Sequence, residues 1–293
     1  RVFEAGRMVD CSRWEETKDM ALKQARWIAG VGTPCEFVLL NSPPGPRQQT
    51  HGFQEGVDFL RVDPSCGGTE AQLDRLEKVL GRVQPMGQTP LVRRISEVYA
   101  RIMQERDDLL KAGQRVVLII ATDGQPTEPR ERLAEILRQT ATDLPVHVVV
   151  RLTTDESEVV DFYNRLDEEL EIPLEVLDDL EGEAKEVAAK GNGWLAYSPL
   201  LHALRERGTF VKLFDLLDER CLTATEAMIL ARLVLQDEGD VASAPRDPEA
   251  FCDFARDRLR RLEPVYNPLT GRMGPAVNVR ALRARLLPFR KRV

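Results

Sequence analysis

A doubly wound, mostly parallel α/β sheet flanked by helices, carrying a C-terminal α-helical appendix, is the fold class that this sequence predicts. Three observations carry the prediction. Strand-like and helix-like apolar patterns alternate over the first ~180 residues, the signature of βαβ crossovers. Val116 to Ala121 is a run of six apolar residues without polar alternation, which suits a strand covered on both faces in the middle of a parallel sheet. Beyond Glu181 the strand signals stop and amphipathic helices take over. The expected division is an α/β domain over residues 1–182 and a helical appendix over residues 183–293.

Taken in order, Met8-Val9 before Asp10-Cys11-Ser12 reads as a short strand ending in polar residues. Trp14 to Ala29 repeats apolar residues at helical spacing, with Ser12 as N-cap. Cys35 to Leu40 and Val57 to Val62 read as strands separated by a Pro-, Gly- and Gln-rich loop from Asn41 to Gly52. Thr69 is expected to cap a helix to Leu80, and the loop from Gly81 to Thr89 leads into a long helix from Pro90 to Lys111. After Val116 to Ala121 come a helix from Pro129 to Gln139, a β-branched strand from Val146 to Leu152, a helix from Glu156 to Leu170 and a strand from Leu174 to Leu177. The appendix reads as helices over 183–190, 199–207, 210–217, 223–235 and 248–262, the fourth opening on a Thr223–Glu226 capping box and the fifth on Asp247-Pro248. Trp194, Tyr197 and Leu200 are expected to pack the appendix against the sheet domain.

Composition excludes several classes. In 293 residues no window approaches the ~18 consecutive apolar residues of a membrane-spanning helix. Five cysteines, scattered and never in a CxxC pair, argue against a disulfide framework or zinc knuckle and point to a reducing compartment. An intracellular, cytoplasmic location is expected; the chain starts at Arg1 and not at Met, so the lack of a signal peptide is weak evidence for it. The net charge is −7, and without the six basic residues of the last fourteen (Arg280, Arg283, Arg285, Arg290, Lys291 and Arg292) it would be −13. So acidic a body is a poor polyanion binder, and no nucleic-acid partner is expected. The basic tail suits an acidic surface or anionic lipid, or simply the solvated face of a terminal helix built on Leu282, Leu286 and Leu287. His51, His147 and His202 have no ligand spacing, and no GxxxxGK[ST], GxGxxG or GxSxG occurs. Asp215 to Glu226 has an acid at its first and twelfth positions, as an EF-hand loop would, but Arg220 stands at the glycine position.

Polar groups follow strand-like segments at Asp10-Cys11-Ser12 and at Thr122-Asp123-Gly124, with Gly87-Gln88-Thr89-Pro90-Leu91 between them. Open parallel sheets bind ligands at the carboxyl ends of their strands, which makes Asp123 a site candidate; the alternative is an Asp-Gly turn with a solvated carboxylate and Gly124 supplying a tight turn. The three segments, in this order and at these separations, resemble a von Willebrand factor A domain (a Rossmann-like fold), in which three such loops build a metal-ion-dependent adhesion site. The resemblance spans about residues 1–180 and implies metal-ligand roles for Asp10, Ser12, Thr89 and Asp123. Hydroxyl and carboxylate oxygens suit Mg²⁺ or another divalent cation. The first loop departs from the family's DxSxS: Trp14 stands at the second serine, so one hydroxyl ligand is missing.

Three functions are therefore open. The first is a non-enzymatic protein–protein interaction module that presents the strand-end face to a protein partner, with or without a divalent cation. The second is a Mg²⁺-dependent hydrolase or phosphotransferase using Asp10 and Asp123, for which Arg13 is the only local basic group. The third is a structural subunit of a larger complex that binds through the helical appendix and the basic tail.

Overall fold

The computed structural model describes residues 1–41, 53–170, 172–209, 211–235 and 244–287, a mixed α/β protein in which a three-stranded parallel sheet is flanked by helices. It falls into two compact units, Arg1–Val2 with Asp10–Val176, and Phe3–Val9 with Leu177–Val293. The expected loop residues 42–52 lie outside the described residues.

The chain opens on a two-stranded sheet, β1 (Val2–Glu4) and β2 (Arg7–Val9), turned through Ala5 and Gly6 at positive φ. Ser12 then caps α1 (Arg13–Gly30). Its hydroxyl accepts the Glu15 amide at 3.2 Å and its own amide donates to the Glu15 carboxylate at 2.8 Å. This capping box satisfies amides that a helix start leaves open, a contribution of about 1 kcal/mol. Next, β3 (Cys35–Val38) pairs antiparallel with β4 (Phe59–Val62), Cys35 opposite Val62. The helix α2 (Thr69–Arg82) starts at Thr69 itself, after Gly68, so Thr69 is not the cap that the sequence suggests. Ala25 and Ala29 of α1 and Leu73, Leu76 and Leu80 of α2 close over Leu60 and Val62 as one apolar cluster.

The elements α3 (Leu91–Lys111), β5 (Val116–Thr122), α4 (Arg130–Asp143), β6 (Val146–Leu152), α5 (Ser157–Leu170) and β7 (Leu174–Leu177) build the parallel sheet, in the order β5-β6-β7. β5 and β6 run parallel in register, from Val116 opposite Val146 to Thr122 opposite Leu152. The apolar run of β5 does not make it the middle strand. That place belongs to β6, in which Val148, Val149, Val150 and Leu152 are buried, while Val116 to Ile119 are only half-buried. β5 is an edge because the N-terminal strands find partners among themselves: the strands of the described residues form four separate sheets, not one continuous sheet. Leu91 and Ile95 of α3, Leu133 and Leu137 of α4, and Tyr163 and Leu166 of α5 complete the core. Each fully buried leucine or isoleucine contributes about 1.5–3 kcal/mol. A buried ion pair, Glu16 of α1 with Arg151 of β6 at 2.8 Å, fixes the first helix to the central strand.

The second unit contains α6 (Leu180–Val187), which runs into a π-turn at Ala188–Asn192, then α7 (Pro199–Glu206), α8 (Lys212–Glu219), α9 (Ala224–Leu235), α10 (Pro248–Leu259), β8 (Val265–Asn267), β9 (Arg272–Gly274) and α11 (Val279–Leu286). Its core closes on Leu217, Leu222, Leu230, Phe251 and Leu282. The antiparallel pair β8–β9 corrects the expectation that strands end at Glu181; Gly271, at φ 64°, makes the turn, and its amide donates to the Asn267 carbonyl at 2.9 Å. Strands of three residues are too short to show a period of two. Trp194 and Tyr197 are buried in this unit's own core, whereas Leu200 is 65% exposed and does not pack as expected. Residues 215–219 are helical, and Glu226 bonds Arg220 at 2.7 Å and the Thr223 amide at 2.8 Å; the segment is thus a helix connection whose twelfth-position carboxylate is consumed by the chain itself, not an EF-hand loop. In α11, Leu282 and Leu286 are buried and Arg280 and Arg283 exposed, while Arg290, Lys291 and Arg292 lie outside the described residues. Among the described residues no helix is long and apolar enough to cross a membrane.

Candidate functional site

Two of the three polar segments meet at the carboxyl end of β5. The Thr89 amide donates to the Thr127 hydroxyl at 2.8 Å, and the Thr127 amide returns a bond to the Thr89 carbonyl at 2.9 Å. Thr89 Oγ1 lies 3.7 Å from where a Cβ on Gly124 would sit, so the Thr89 hydroxyl and the Thr122-Asp123-Gly124 turn are neighbours. The loop before Thr89 is held from the other side, where Asn41 Nδ2 donates to the Gln88 carbonyl at 2.6 Å. Gly87 is at φ 99°, and a Cβ there would meet the Asn41 side chain at 3.3 Å, so glycine is required on both counts. Gly124 is not at positive φ, which removes the conformational reason for a glycine after Asp123.

The turn rests on buried polar anchors. Thr122 Oγ1 donates to the Gly124 carbonyl at 3.0 Å, and the Tyr163 hydroxyl donates to the same carbonyl at 3.0 Å. Tyr163 is fully buried, and burial pushes its phenol well above the usual range, so it is a fixed donor. Above this base the Asp123 side chain is 56% exposed. Tyr163→Phe is expected to cost about 1 kcal/mol and to speed amide hydrogen exchange at Gly124 and Gln125, measured by exchange mass spectrometry, because one of the two hydroxyls holding the turn is lost.

The first segment takes a different part. The Asp10 side chain is 85% exposed and lies 2.7 Å from Arg1 Nε. Ser12 Oγ is engaged twice with Glu15, accepting from its amide and donating to its carboxylate at 3.0 Å. Trp14 does not enter the site: its indole N–H donates to the Val83 carbonyl at 3.1 Å and its ring packs against the cluster under α1 and α2. Arg13 instead faces the strand ends. Its Nη2 donates to Glu156 Oε1 at 2.6 Å, just beyond β6, and its Nη1 is 3.8 Å from Asp123 Oδ2. The hydrogen bond to Glu156, with the charges of Glu156, Asp123 and Asp155, raises the guanidinium pKa against the opposing effect of burial. The face so formed is an exposed carboxylate array around one fixed cation, with threonine hydroxyls beside it. The sequence marks Arg13 as the only local basic group, and its place in the first turn of α1, where a basic residue opposes the helix dipole, sets it apart further.

A second polar constellation, absent from the sequence reading, lies inside the helical unit. Arg205, 2% exposed, bonds Glu183 at 2.7 Å and Asp218 at 2.6 Å, and its Nη1 is 3.3 Å from the Tyr197 hydroxyl. Tyr197 in turn contacts His202 Nδ1 at 3.3 Å, and His202 Nε2 lies 3.3 Å from Glu206. Glu183, Glu186 and Asp218 bring carboxylate oxygens within 4.8 Å of one another, the sole such group of acids, histidines or cysteines among the described residues; Asp10, Asp123 and the described histidines are not in it. Arg205 already serves as the counter-ion of that group. Its signal was present in the sequence: Leu201 and Arg205 are four residues apart, which puts the arginine on the apolar face of α7. No protein-family model matches the chain, and no solved structure matches it.

Proposed function

We propose that the chain is a non-enzymatic protein–protein interaction module of von Willebrand A type, with a doubly wound, Rossmann-like body, that presents the strand-end face around Asp123 to a protein partner. The observation that supports this best is the meeting of the Thr89 loop and the Thr122-Asp123-Gly124 turn at the carboxyl end of a parallel strand, with the Asp123 carboxylate open to solvent. Buried threonine and tyrosine hydroxyls hold the turn rigid, so a partner meets a preformed surface and loses little to ordering it. Five free thiols suit an intracellular, reducing compartment.

The test compares partner capture by the full chain with capture by Asp123→Ala and Arg280→Glu. Truncation at Gly271 is not a clean alternative, because it removes Leu282 and Leu286 from the core of the helical unit. Binding through the strand-end face predicts a loss of about tenfold or more for Asp123→Ala and none for Arg280→Glu. The opposite pattern would move the interface to the basic terminal helix and refute the proposal.

A further inference from the structure

We infer that the guanidinium of Arg13 is the resident cation of the strand-end face, standing where the resemblance places a divalent ion, so that this face works without a metal. The inference rests on the reading of that face as the binding face. The donor set is the first reason. An octahedral Mg²⁺ needs oxygens converging at about 2.0–2.1 Å, yet Ser12 Oγ is committed to both the amide and the carboxylate of Glu15, and the Asp10 carboxylate is held by Arg1. Two of the four implied ligands thus have other partners.

Charge is the second reason. The Arg13 guanidinium lies 2.6 Å from Glu156 and 3.8 Å from Asp123, spanning the acids that follow β6 and β5. A dication seated on Asp123 would have to displace it or accept a like charge as neighbour. Single exposed ion pairs contribute little. Here, however, one cation answers Glu156, Asp123 and Asp155 together, all three of which act on it. Trp14 has no part in excluding the ion, since it bonds Val83 instead.

Mn²⁺ added to the ¹⁵N-labelled full chain serves as a paramagnetic probe. At roughly millimolar Mn²⁺, the range of weak carboxylate sites, the wild type is expected to show no selective broadening of the Asp123, Gly124 and Glu156 amide signals. Arg13→Gln is expected to show it, and Arg13→Gln with Asp123→Ala to lose it again. Arg13→Lys keeps the charge and should behave as the wild type. Selective broadening in the wild type that Asp123→Ala removes would overturn the inference, as would broadening in Arg13→Lys or its absence in folded Arg13→Gln. The measurement reads the ion and not the partner, so its failure is separate from a failure of Asp123→Ala to weaken partner capture.

Discussion

Replacing Arg205 by alanine should destabilise the helical unit by about 3–5 kcal/mol at neutral pH, the cost of leaving buried charge without its partner. The side chain is almost fully buried and bonds Glu183 of α6 and Asp218 of α8 at 2.7 and 2.6 Å, with the Tyr197 ring beside it. Its removal takes away the cation that Glu183 and Asp218 share, and the cavity adds a packing loss. The loss should grow at alkaline pH, where Glu183 gives up its proton with no cation to meet the charge. Urea unfolding followed by the emission of Trp194, buried in the same unit, reads the effect if Trp14 and Trp27 are first changed to phenylalanine. Replacing Arg205, Glu183 and Asp218 together by apolar residues of similar volume should cost far less than Arg205→Ala alone, because desolvation opposes the attraction within such a group. An unchanged midpoint in Arg205→Ala would show that the group is hydrated and not a buried network.

The sequence shows most of the local structure and little of its assembly. Unbroken apolar or β-branched runs place the parallel strands, and apolar residues at helical spacing the helices α1 to α5, within a few residues of where they lie. Caps read correctly where a side chain makes them, at Ser12, Thr223 and Asp247. Thr69 misled because α2 starts without a side-chain cap, from Gly68. Strand order was not legible. Val116 to Ile119 are as apolar as a central strand, but who pairs with β5 depends on contacts between distant segments, and β2 is claimed by β1.

The site was legible in part for the same physical reason. Thr89 and the Thr122-Asp123-Gly124 turn are neighbours, one just before α3 and the other at the end of β5, and both of these elements were readable from their apolar patterns. Asp10 and Ser12 were read as ligands from residue type alone, whereas their partners, Arg1 and Glu15, are set by local geometry. Attention to residue type also singled out Trp14 as the departure that mattered. The guanidinium one residue earlier faces the strand ends, since Trp14 is turned towards α2 and the Val83 carbonyl. The buried network around Arg205 escaped because its members come from three helices, and charged residues within amphipathic helices are ordinarily on the solvated face.

Stability of the helical unit should fall as pH rises between about 4.5 and 8, and Glu183→Gln should remove most of that slope. Burial raises the Glu183 carboxyl from 4.5 to about 8, against the pull of Arg205 and with the help of the Asp218 charge. The direction follows from the surroundings: Glu183 is the buried member of a group of three carboxylates that share one guanidinium, so it is the one that retains a proton. In this window the folded chain binds a proton that the unfolded chain has released, so its contribution is complete below the unfolded value and is lost as pH passes through the folded one. The full shift corresponds to roughly 5 kcal/mol at most. Glu186, raised mainly by burial, acts in the same direction. Glu226 acts oppositely: held down to about 2 by Arg220 and Thr223, it supplies stability lost only as pH falls below 4.5, outside this window. The glutamine keeps a carbonyl to accept from Arg205 but has no proton to lose. Unfolding free energies of the wild type and Glu183→Gln at pH 5, 7 and 8.5 should therefore diverge with pH, the variant becoming the more stable of the two at the alkaline end. Parallel curves would mean that Glu183 is ionised throughout, its burial fully offset by the arginine 2.7 Å away.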